Sequence, residues 1–180
     1  MKKLFVGIDP GKTGFITLIE EGVEPNFIVM PYHRVEGKTV FNYAGFKDIF
    51  DELKIRYEGY EIIVAIEEVG GRGGWSATNN FNFGFIAGMQ EQLFILLGAE
   101  IIKVRPQKWQ AYMRQGYPDL KKSSSTGKTQ VRDPKAVAEM IVEKEWPEID
   151  FRKTTRAKKN DDNKIDSFLI VQYLIRTYKK

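Results

Sequence analysis

At 180 residues, 42% hydrophobic and 29% charged, the chain has the size and composition of a single folded domain with a full core. It has no cysteine, which excludes disulfides and thiolate metal sites, and one histidine, His33, which leaves little room for imidazole chemistry. Lys and Arg outnumber Asp and Glu by 28 to 24, a net charge of +4 that leans mildly toward anionic partners, and any metal would be held by oxygen, favouring Mg²⁺ or Mn²⁺.

Residues 4–19, LFVGIDPGKTGFITLI, read as two strands around a tight turn, with β-branched runs on either side of Pro10, Gly11 and Gly14. Asp9 stands at the bend. A carboxylate beside a buried strand is costly unless it is paired, hydrogen-bonded or bound to metal. Residues 26–30 offer a third strand of a meander, and 31–39 a polar loop carrying His33 and Arg34. Phe46, Ile49, Phe50, Leu53 and Tyr57 recur at the spacing of an amphipathic helix over 42–57. Residues 62–67, IIVAIE, form an apolar run ending in acid, as expected for a strand buried on both faces and parallel to the first.

A glycine-rich loop over 68–80 holds Arg72 and Trp75 among Gly70, Gly71, Gly73 and Gly74. A helix over 81–97 follows, in which Gly84 and Gly88 would allow a close approach, either to the sheet or to a second copy, and Phe81, Phe83 and Phe85 read as core or dimer contacts. Next come a strand over 101–104, a helix opened by Pro106, and a Lys- and Ser-rich loop over 115–132. Asp133 caps a further helix that begins with Pro134 and is stopped by Pro147. After a basic segment over 152–160, the last helix covers about residues 161–178. This order predicts one α/β domain over residues 1–180, a mixed sheet with helices on both faces.

Asp9 and Glu67 end two strands which, if neighbours about 4.8 Å apart, let both side chains face a common point. Only one of Glu67 and Glu68 can face that point, because adjacent strand residues alternate. On the last helix Asp162 and Asp166 share a face, whereas Asp161 suits the N-cap. Such a cluster would repel itself unless divalent cations neutralised it, and two Mg²⁺ ions about 4 Å apart would suit phosphodiester hydrolysis.

VGIDPGKTG, VAIEE, FGFIAG, KVRPQKW and DDNKIDSFLI, in this order, make the chain resemble the RuvC-like Holliday junction resolvases of the RNase H-like superfamily, particularly the phage-type members. The resemblance implies an RNase H-like fold with a five-stranded mixed sheet. It implies a homodimeric, Mg²⁺-dependent crossover junction endodeoxyribonuclease that makes paired nicks in branched DNA, leaving 5′-phosphate and 3′-hydroxyl ends. Asp9, Glu67, Asp162 and Asp166 are then the catalytic residues and the ligands of two metal ions, with Glu67 preferred over Glu68. Position 163 is Asn where bacterial RuvC places its acid, and the phage-type members carry the acid one residue earlier, as at Asp162 here.

Among the basic and aromatic residues, Arg72, Trp75, Lys128, Arg132, Arg156, Lys158 and Lys159 are the candidates for DNA contact, Trp75 by stacking on unpaired bases and the cations by tracking phosphates. Neither GKT stretch has Walker spacing, so no nucleotide cofactor is expected: three residues separate Gly7 from Gly11, and Lys122 stands where a Gly is needed before Gly127. An RNase H-like nuclease acting on RNA–DNA hybrids and a junction-binding protein without catalysis are the alternatives. No apolar run reaches membrane-spanning length, and acid interrupts the opening stretch too early for a secretory signal, so no membrane partner and a cytoplasmic location are expected.

Overall fold

The computed structural model describes residues 1–71, 73–124 and 126–178, so the expectation for Arg72 lies outside the described residues. In chain order its elements are β1 (Lys3–Ile8), β2 (Phe15–Glu20), β3 (Asn26–Val29), β4 (Tyr32–Val35), β5 (Lys38–Phe41), α1 (Tyr43–Arg56), β6 (Glu61–Glu67), α2 (Ala77–Leu96), β7 (Glu100–Val104), α3 (Pro106–Met113), β8 (Lys121–Ser123), β9 (Gln130–Arg132), α4 (Pro134–Glu145) and α5 (Asp162–Thr177). The main sheet has the order β3-β2-β1-β6-β7. β1, β2 and β3 form the antiparallel meander, and β6 and β7 run parallel to β1, so the sheet is mixed and five-stranded.

The strands alternate between two cores, as the pleat requires. Leu4, Val6 and Ile8 of β1 and Ile62, Val64 and Ile66 of β6 pack with Leu53 of α1 and Phe94 of α2. Ile63 and Ala65 point to the opposite face, where Trp109 of α3, Val137 and Ile141 of α4, and Phe168 of α5 cover the sheet. On that same face Gly7 of β1 lies under α5: a Cβ there would come within 2.3 Å of the Ser167 carbonyl and 2.8 Å of the Val171 side chain. The missing side chain lets the helix cross the strand almost backbone to backbone. A buried hydrogen bond of 2.7 Å between the hydroxyls of Thr17 in β2 and Ser167 in α5 fixes the crossing point.

Four sequence expectations change. Residues 31–39 are not a loop: Tyr32 pairs with Phe41 and Val35 with Lys38 in a β4–β5 hairpin. Glu36 (φ 48°) and Gly37 (φ 76°) make its turn, the double left-handed conformation that suits the strand twist. The Lys- and Ser-rich stretch likewise contains the β8–β9 hairpin, whose strands of three residues are too short to show a period. α2 begins four residues early because the Ser76 hydroxyl accepts from the Asn79 amide and caps it. Gly84 and Gly88 do not pack on the sheet, since a Cβ on either would meet open space, and Phe81 is exposed and outside the core.

Candidate active site

Asp9 leaves the end of β1 and Glu67 is the last residue of β6, the strand paired in parallel with β1 through Ile8 and Ile66. Glu67 continues the face that carries Ile63 and Ala65, the side covered by α5, and Asp9 follows one residue after the end of β1. Asp166 immediately precedes Ser167, so the contact of α5 with Gly7 and Thr17 delivers its carboxyl to the same end of the sheet. The turn after Asp9 is closed by the Asp9 amide donating to the Phe15 carbonyl at 3.1 Å, and a Cβ on Gly14 would come within 2.0 Å of the Asp9 carbonyl. Gly14 is therefore required for the bend that presents Asp9.

Glu67 is buried, and its Oε2 accepts a hydrogen bond of 2.9 Å from the indole Nε1 of Trp109, itself in the core. Glu68 alternates outward and pairs with exposed Arg105 at 3.2 Å. Of the two adjacent acids, Glu67 is the one inside. Asp161 accepts from the amides of Asn163 and Lys164, which makes it the N-cap of α5. Asn163 turns its amide to the Thr13 hydroxyl at 3.2 Å, tying α5 to the β1–β2 turn.

The carboxylates act on one another. Burial, followed by the negative charges of Glu67 and Asp162, raises Asp166 to a pKa of about 7, against the opposing pull of Lys135. Lys135 hydrogen-bonds and ion-pairs with Asp162, and that bond, with the charges of Asp162, Asp166 and Asp9, holds its ammonium above the usual lysine range. Among the described residues no three of these acids form a ready-made metal cage. The site is a convergence of negative charge with one ammonium within its field.

Lys135 is the residue that sequence reasoning missed. The available signal was its place in the first turn of α4, just after Pro134, where the helix dipole disfavours a cation unless an acid compensates.

Trp75 lies partly exposed over the Asp9 turn, its ring edge-on to Phe83 at 5.7 Å, while Phe83 rests against the position of Gly11. Lys128 is exposed between β8 and β9, and Arg156, Lys158 and Lys159 are exposed in the segment leading to α5, which an Arg152–Asn160 bridge closes. Arg132, by contrast, pairs with Asp119 at 2.6 Å, and neighbouring Lys122 and Arg152 pair with Asp133 and Asp150. Part of the expected cationic track is thus already neutralised within the chain. No helix of the described residues is long and apolar enough to cross a membrane.

No protein-family model and no curated protein matches the chain. Among solved structures it is similar to Thermus thermophilus RuvC in complex with a Holliday junction substrate, at 14% identity over 98% of this chain and 96% of that one, with a TM-score of 0.50. A further Thermus thermophilus RuvC structure gives 16% identity over 98% and 96%, with a TM-score of 0.44. The yeast mitochondrial Holliday junction resolvase Ydc2 gives 14% identity over 95% and 77%, with a TM-score of 0.47. At such identities the likeness speaks to architecture, and on the first of these structures the chain has the RuvC-like α/β fold.

Proposed function

We propose that this chain is a divalent-metal-dependent, structure-selective DNA endonuclease that resolves four-way junctions by paired nicks. The reading is carried by the charges of Glu67 and Asp162 acting on Asp166 at the end of the sheet where β1 and β6 run side by side, in a chain with the fold of a protein solved on a Holliday junction. Its net positive charge and exposed Lys128, Arg156, Lys158 and Lys159 support a nucleic-acid substrate. Exposed Ile95 and Leu96, on the helix that carries Gly88 facing open space, support assembly of two copies through α2.

The donor set suits Mg²⁺ or Mn²⁺: all-oxygen, without His or Cys, with Asp166 raised by burial and by the charges of Glu67 and Asp162, and with Lys135 paired to Asp162. Asp9, Glu67, Asp162 and Asp166 would hold two such ions, which when bound supply an activated water and charge stabilisation for phosphodiester hydrolysis. Within the chain, Trp109 orients Glu67 by its indole N–H, and the Gly14 bend fixes where Asp9 points. Lys135 balances Asp162 until phosphate and metal arrive. Attack of water on the phosphorus with breaking of the bond to the 3′ oxygen leaves 5′-phosphate and 3′-hydroxyl ends.

The test is incubation of the protein and Mg²⁺ with a labelled four-way junction, a duplex and an RNA–DNA hybrid. Symmetric nicks confined to the junction are expected. Cutting of the hybrid alone would make the chain an RNase H-like enzyme, and tight junction binding without cutting would make it a non-catalytic junction protein.

A further inference from the structure

Next to Asp9 lies a cleft of about 920 Å³ that the carboxylate chemistry leaves unused. One wall is the β4–β5 hairpin, where Tyr32 and Phe41 meet edge to face at 5.6 Å. Tyr43, at the start of α1, lies 5.0 Å from Phe41. The facing wall belongs to α2, on which Phe81 stacks nearly parallel on Phe85, with ring centres 6.4 Å apart. The β1–β2 turn, Asp9 to Gly14, completes the lining.

Tyr32, Phe41 and Phe85 rest on the core beneath, but the fold leaves Tyr43 64% and Phe81 70% exposed. Large aromatic rings left in water on two walls of one cleft mark a surface awaiting a flat partner. The polar groups narrow its identity. The Lys12 ammonium sits over the Tyr32 ring at 5.4 Å, and the amides of Asn79 and Asn82 line the cleft and can both donate and accept. Along the hairpin, cross-strand partners share a face, so Arg34 and Thr39 continue the side that carries Tyr32 and Phe41. Arg34 and Lys38 outnumber the hairpin's single acid, Glu36. Ring faces for stacking, amide edges for reading and cations at the rim form a set that accepts unpaired nucleobases on a phosphate strand. An apolar helix would leave the amides and the cations unmatched.

We propose that this cleft seats unpaired nucleotides of the DNA strand whose phosphate reaches Asp9, and that the β4–β5 hairpin clamps that strand. The inference rests on the nuclease reading above for the identity of the strand. Its volume lies at the upper end for concave ligand sites, enough for a base with its sugar.

The test uses the full-length protein and four-way junctions carrying 2-aminopurine beside the nicked phosphate, with binding measured in EDTA and cutting in Mg²⁺. The wild-type protein should change the 2-aminopurine fluorescence on binding. Arg34→Ala/Tyr43→Ala and Phe81→Ala, all at exposed positions, should lose that change and weaken junction binding five-fold or more, while binding to a blunt duplex stays within two-fold. Unaltered fluorescence and affinity in both variants would overturn the proposal. So would a loss of binding matched by a change of oligomeric state in sedimentation, which would assign the cleft to a second copy. Failure of the two ideas separates cleanly: variants that cut and report like the wild-type protein remove the cleft and leave the nuclease. A wild-type protein that never cuts, yet gives the signal lost in the variants, removes the nuclease and leaves the base seat.

Discussion

Glu67 and Asp166 show how single side chains here are set by their surroundings. Glu67 is a buried acid whose Oε2 is held by the Trp109 indole, so Trp109→Phe keeps an aromatic, if smaller, side chain and removes the donor. Leaving a buried carboxylate short of a donor costs about 1–3 kcal/mol. The expected result is a cleavage rate at least ten-fold lower with junction affinity unchanged, measured by nicking and by gel shift. Asp166 has the opposite problem, since burial and the charges of Glu67 and Asp162 raise it to about 7. A carboxyl whose folded pKa lies above its unfolded value holds protons longer in the native state, so stability of the metal-free protein falls as pH rises from about 4 through 7. Asp166→Asn removes that penalty. Thermal unfolding in EDTA at about pH 8 should place the variant a few degrees above the wild-type protein, with the difference gone near pH 4. Equal melting temperatures at both values would mean that the ionised Asp166 is not strained.

Among elements, α5 carries the most consequence, because its crossing over β1, fixed at Gly7 and Thr17, sets Asp166 near the end of the sheet that Asp9 follows. Gly7→Ala puts a methyl group into the Ser167 carbonyl and Val171. It should cost about 3 kcal/mol or more, read by urea unfolding, with loss of cleavage in whatever remains folded. The basic segment before α5 is the other element open to direct test. Arg156→Gln/Lys158→Gln/Lys159→Gln should reduce the slope of log binding constant against log salt by about 2–3, with little effect on stability. This scale also separates what was legible in the sequence from what was not. The five strands of the main sheet and the five helices announced themselves through period, caps and proline, as with Asp133 and Pro134 before α4. The two small hairpins did not: β8 and β9 have three residues each, and β4–β5 hides its pairing behind exposed, polar side chains. Strand alternation in the sequence showed that only one of Glu67 and Glu68 faces inward; the resemblance, not local spacing, picked Glu67, and the inward partner Trp109 was visible only in the structure.

For the molecule as a whole, the sheet order places the ends of β1 and β6 side by side, and α3, α4 and α5 bring Trp109, Lys135 and Asp166 to that end. The acids were visible as an unexplained Asp9 and a Glu ending an apolar run. Lys135 left only the weak trace of a cation in the first turn of α4, and the aromatic cleft left none, because each depends on elements far apart in the chain meeting in space: α4 with α5, and the β4–β5 hairpin with α2. The reading as a junction nuclease turns on Asp9, and one comparison tests it most directly: nicking of a labelled four-way junction in Mg²⁺ by the wild-type protein and by Asp9→Asn, with junction affinity measured alongside. The account predicts symmetric nicks by the wild-type protein, and for the variant the same affinity within about three-fold and cleavage reduced at least a thousand-fold. Full cleavage by Asp9→Asn, or none by a wild-type protein that binds the junction, would contradict it.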